Sequence, residues 1–103
     1  MAKKEWRVLS VGGSLIVPED IDVSFIRKFV ALVKRLAKRH RLAIVVGGGR
    51  TARRYITAAS LLGEVHEEHK DWLGIYATRI NAHMILNALH GVAYPHISTN
   101  PTI

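Results

Sequence analysis

The 103-residue chain contains no cysteine, which removes disulfide staples and thiolate metal sites and fits a reducing compartment. Its apolar runs reach only about half the length that spans a bilayer, and the opening MAKKEWRVLS lacks the apolar stretch of a signal peptide. A cytoplasmic protein, neither secreted nor membrane-spanning, is therefore expected. No internal repeat, low-complexity tract or linker interrupts the chain, so residues 1–103 are expected to form a single domain. Acidic residues are also scarce: eight against fifteen Lys and Arg give a formal charge of +7. That excess concentrates anions around the protein and favours phosphorylated metabolites, acidic partners or nucleic acid, without choosing among them.

The residues that are present are those of a globular core. Hydrophobic residues make up 49% and charged residues 22%, a balance that excludes a disordered tail. Trp6 to Val11 is a short aliphatic run that stops at Gly12-Gly13, the pattern of a buried strand entering a tight loop. The capping residues Asp20, Asp22 and Ser24 then precede Phe25, Ile26, Phe29, Val30, Val33, Leu36 and Ala37, whose spacing predicts an amphipathic helix ending near His40. Its basic end suits the negative pole of the helix dipole. Leu42 to Val46 is continuously apolar, as in a parallel strand covered on both faces.

Thr51 to Leu62 predicts a second helix closed by Gly63, Glu64 to His69 a connector, and Asp71 to Leu89 a third helix. Apolar residues cover much of that third helix, which should be buried between layers or against a partner subunit. Val92 to Ser98 is the pattern of a third strand, placed toward a sheet margin by Pro95. This order predicts an α/β fold, a three-layer α/β/α sandwich around a parallel sheet. The chain stops at Ile103 just past a strand, so the sheet is expected to be incomplete.

The strongest chemical feature is Gly47-Gly48-Gly49-Arg50, between an apolar strand and a helix. Glycines let the backbone turn sharply and present unencumbered N–H groups, and a following helix adds its positive pole, so a phosphate fits there. Arg50, Arg53 and Arg54 stand at i, i+3 and i+4, where their like charges repel unless an anion or solvent separates them. The plainer alternative is a glycine-rich turn with solvated arginines. Gly12-Gly13-Ser14 forms a second glycine turn. Parallel strands all point one way, so both turns should flank one crevice beyond the strand ends. Neither follows the Walker pattern nor the dinucleotide G-x-G-x-x-G spacing, which excludes those two folds.

Three blocks, VLSVGGSLIVPEDID, IVVGGGRTARRYITAA and KDWLGIYATRINAHMILNAL followed by AYPHIS, resemble the opening half of archaeal-type uridylate kinases in the amino acid kinase family. The resemblance covers nearly the whole chain in order. It implies an amino acid kinase-like fold, represented by its first, acceptor-binding half, and transfer of the ATP γ-phosphoryl group to UMP with Mg²⁺ accompanying ATP. Carried over by motif, Gly13, Ser14, Gly49 and Arg53 would meet ATP phosphoryl groups, while Gly48 and Asp71 would bind UMP. Gly12, Gly47, Arg50 and Thr78 are further candidates for phosphate or acceptor contacts, and Arg79 and Asn81 share the motif of Thr78. A polar helix stripe is the plainer reading of those three, and a helix N-cap or first-turn carboxylate that of Asp71. No catalytic side chain and no metal ligand is assigned.

Many family members carry lysine where this chain has Ser10, and the family's second half, with its residues for ATP and metal, has no counterpart here. A homo-oligomer is expected. The alternative functions are a non-catalytic phosphate- or nucleotide-binding half-domain or assembly subunit, and a basic nucleic-acid-binding domain. His66 and His69 lack zinc-protease spacing and are expected in an exposed connector. The KRLAKRHR run has no interleaved aromatic platform, so nucleic acid is not the expected ligand.

Overall fold

The computed structural model describes residues 5–92. Strand β1 (Trp6–Val11) runs into a single helical turn, α1 (Gly13–Ile16), and then into helix α2 (Val23–Leu36). Strand β2 (Arg41–Val46) follows, then helices α3 (Gly49–Leu62) and α4 (Glu67–Ala88). The strands pair in parallel from Trp6 opposite Arg41 to Val11 opposite Val46, with α2 as the crossover. Both glycine turns therefore leave the sheet at the same end, as its parallel topology requires. The Arg41 guanidinium lies over the Trp6 ring at the other end, 6.0 Å from its centroid.

One face of this sheet carries the core. Leu9, Val11, Leu42, Ile44 and Val46 pack there with Ile26, Val30 and Val33 of α2 and with Ile85 and Leu89 beyond the middle of α4. Ile16, in the turn after β1, is fully buried, and removing a side chain of that size from water contributes roughly 1.5–3 kcal/mol. Helix α2 begins at Asp22, whose carboxylate accepts a bond from the Phe25 amide at 2.9 Å. Such a cap is worth about 1 kcal/mol.

The opposite face differs from expectation: Val8 is 68% and Val45 55% exposed, so β2 is covered on one face only among the described residues. The α/β class and the parallel sheet are those the sequence implies. Helix α3 packs against α1 and α4, not over the open face, and buries no residue fully.

Several boundaries move. Helix α2 ends at Leu36, and residues 37–39 form a turn before His40. Helix α3 starts at Gly49, two residues before Thr51. Helix α4 starts at Glu67 and absorbs half of the expected connector, with Glu67 and Glu68 in its first turn where the positive pole favours them. It is also less enclosed than its composition implies. Ala77, Asn81, Ile85 and Leu89 form one buried row, whereas Trp72, Tyr76 and Ile80 are exposed. Of the expected strand over 92–98, Val92 lies in a turn and the remainder falls outside the described residues.

Candidate functional site

The two glycine turns meet backbone to backbone. A Cβ added to Gly13 would lie against the Gly49 nitrogen and 2.7 Å from the Gly47 carbonyl carbon, and one on Gly47 would lie 2.8 Å from the Gly13 nitrogen. No side chain fits into that junction, which is why both turns need glycine. Gly49 also sits at φ +60°, a conformation that side-chain-bearing residues rarely adopt. The space between the turns is thus closed by main chain, and Gly12 and Ser14 remain exposed at the rim.

Helix geometry leaves the first N–H groups of α3 without partners inside the helix. The Arg50 amide is taken by the Val17 carbonyl at 3.1 Å. Gly48 and Gly49 line an open groove of about 1040 Å³ between α3 and α4. Arg53, Glu67, Lys70, Asp71, Thr78 and Arg79 supply its polar wall, and Ala52, Ile56, Gly74, Ile75 and Ala82 its apolar one. Glycine at 48 lets α4 come close, since a Cβ there would meet Ala52 and Ala77 side chains at 3.0 and 3.3 Å and Thr78 Oγ1 at 3.4 Å. The groove therefore combines a backbone-lined end, three cations and the two carboxylates of Glu67 and Asp71, a set suited to a phosphorylated ligand that also offers hydroxyl or ring donors.

The three arginines separate into two roles. Arg50 donates through Nε to the Pro18 carbonyl at 3.1 Å and through Nη2 to Glu19 at 3.4 Å, while Arg54 pairs with Asp20 at 3.8 Å. The carboxylates of the segment after α1 thus relieve part of the repulsion that an anion or solvent was expected to relieve. Arg53 has no carboxylate partner among the described residues and faces the groove. Arg50 lies in a smaller depression with Glu19, Arg54 and Leu61, which Arg53 also borders. Asp71 caps no helix: His66 holds the N-cap position of α4, and Asp71 stands one turn in, on the groove wall.

The sequence offers Asn81 either an acceptor-side place with Thr78 and Arg79 or a place in a polar helix stripe. The structure buries it to 4% exposure and joins its amide to both the Gly47 carbonyl, at 3.0 Å, and the Gly48 carbonyl, at 3.2 Å. The signal was available, because Asn81 is the one polar residue in the four-residue repeat Ala77, Asn81, Ile85, Leu89. His66 and His69 contact edge to face, 6.5 Å between centroids, and no group of three potential metal ligands forms among the described residues. No helix among them is long and apolar enough to cross a membrane.

The model of the amino acid kinase family matches residues 5–102. The chain is similar to the uridylate kinase of Pyrococcus abyssi, 45% identical over 93 residues, which are 90% of this chain and 41% of that one. It is also similar to the uridylate kinase of Thermococcus kodakarensis, 42% identical over 90 residues, which are 87% and 40% of the two chains. Among solved structures, uridylate kinase from Archaeoglobus fulgidus superposes with a TM-score of 0.78 at 35% identity, covering 95% of this chain and 42% of that one. UMP kinase from Ureaplasma parvum gives 0.68 at 29% identity, covering 86% and 37%. The chain thus spans about two-fifths of the length of these relatives and corresponds to their N-terminal part.

Proposed function

Because the chain belongs to the amino acid kinase family, we propose that it is the acceptor-binding and phosphate-gripping part of a uridylate kinase. A UMP phosphate oxygen attacks the γ-phosphorus of ATP, the bond from that phosphorus to the β-phosphate bridging oxygen breaks, and UDP and ADP result. The observation that carries this reading is the meeting of two glycine turns at one end of the sheet, beside a groove lined by Arg53 and Asp71. Phosphoryl transfer asks chiefly for positioning and for cancellation of developing charge, which amides and guanidinium groups provide. In this reading Arg53 and the amides of Gly13, Ser14 and Gly49 meet ATP phosphoryl groups. Gly48 meets the UMP phosphate, and Asp71 accepts from the acceptor nucleoside.

Mg²⁺ would neutralise phosphate charge when bound with ATP. Incubating the purified chain with UMP and Mg-ATP and measuring UDP tests the reading. UDP formation supports the phosphotransferase reading. UMP binding without turnover favours the second reading, a nucleotide-binding unit. Failure to bind UMP or ATP would remove both.

A homo-oligomer is part of the same proposal. The exposed α4 row of Trp72, Tyr76 and Ile80 would be covered by a second copy. Sedimentation velocity should then show a dimer or larger species that Ile80→Lys dissociates, and a wild-type monomer at micromolar concentration would reject it.

A further inference from the structure

We propose that Asn81 is a positioning residue that aims the amides of the glycine turn at the ligand. A trans peptide is planar, with its carbonyl and its N–H pointing in opposite directions. The Gly47 carbonyl shares a peptide plane with the Gly48 N–H, and the Gly48 carbonyl shares one with the Gly49 N–H. The Asn81 carboxamide bonds both carbonyls, at 3.0 and 3.2 Å, from a site only 4% exposed. One NH₂ group therefore fixes two consecutive planes and turns two consecutive N–H groups away from Asn81, with the Gly49 nitrogen against Gly13. Successive amides held this way form an anion-binding concavity.

Neither neighbouring chemistry can substitute. Aspartate at this position would set an acceptor-only group against two carbonyl oxygens, and leucine would take the donor from both, leaving Gly48 only the Ala52 amide at 3.5 Å. Serine offers one donor and could hold one plane. Burial of a polar side chain in an otherwise apolar row is costly unless it is bonded, and its two bonds go nowhere except to this turn. The inference rests on the phosphate-binding reading of the same turn.

The test uses ¹⁵N-labelled full chain titrated with inorganic pyrophosphate, following the Gly48 and Gly49 amide resonances, with UMP binding measured separately by calorimetry. Wild type should show saturable shifts at both amides. Asn81→Leu should weaken pyrophosphate binding about tenfold or more, the scale of one lost neutral hydrogen bond. Asn81→Ser should fall between them and retain the shift at one amide. If the leucine variant does not fold, the serine variant decides alone, since wild-type affinity with both amides shifting overturns the proposal. Wild-type-like binding by Asn81→Leu overturns it as well and leaves the phosphate reading intact. No pyrophosphate response at Gly48 or Gly49 in wild type removes the phosphate reading and, with it, the role of Asn81.

Discussion

Gly13→Ala should destabilise the protein by about 3 kcal/mol, the upper range for overpacking a closed site, whereas Gly12→Ala should change stability little. The two residues are adjacent, and both glycines belong to the same turn. Gly12 has φ −62°, and a Cβ there would meet nothing within 4 Å. A Cβ on Gly13 would meet the nitrogen of Gly49, its Cα at 2.6 Å and the Gly47 carbonyl carbon at 2.7 Å, all backbone. Flexible side chains could swing aside, but here one of two strand-to-helix connections must move. A domain of this size has a total stability on the order of 5–15 kcal/mol, so the loss should lower the urea midpoint and the melting temperature visibly. Equal midpoints for the two variants would mean that the turns are not in contact.

The same contact shows how much of the site was legible. Two apolar runs, each ending in glycines and separated by an amphipathic helix, dictate parallel strands and hence turns at one end. No further information is needed for that convergence. What a chain-order reading cannot supply is which distant partner each side chain finds. Arg50 and Glu19 are 31 residues apart, and Asn81 and Gly47 are 34 apart. Neither pair leaves a local pattern, although a lone asparagine in the row Ala77, Ile85, Leu89 marks a buried polar group that needs acceptors.

The start of α4 was missed for a different reason. His66 gives no side-chain cap, so the nearest capping residue in sequence, Asp71, was the natural candidate, while Glu67 and Glu68 carried the truer signal of a first turn. A continuous apolar strand implies cover on both sides of the sheet. The sequence of β2 meets that condition and the described residues do not, with Val8 and Val45 left exposed.

Placing Asp71 on the groove wall instead of at a helix cap changes what its substitution should do. A capping carboxylate would affect stability and leave ligand binding alone. A wall carboxylate that accepts from a nucleoside should do the reverse. Hydrogen bonds to a charged group contribute about 1.5–3 kcal/mol, so Asp71→Asn should weaken UMP binding by roughly tenfold to 150-fold in calorimetry, with an unchanged melting temperature. Arg53 shares the groove with Asp71 and has no carboxylate partner among the described residues. Arg53→Ala should therefore weaken ATP by about tenfold, through loss of a charge-assisted contact to phosphate, and alter UMP less. Crossed losses of this kind cannot come from general loosening of the groove, which would weaken both nucleotides together. If Asp71→Asn lowers the melting temperature while UMP binds as before, the carboxylate supports the helix and the acceptor lies elsewhere.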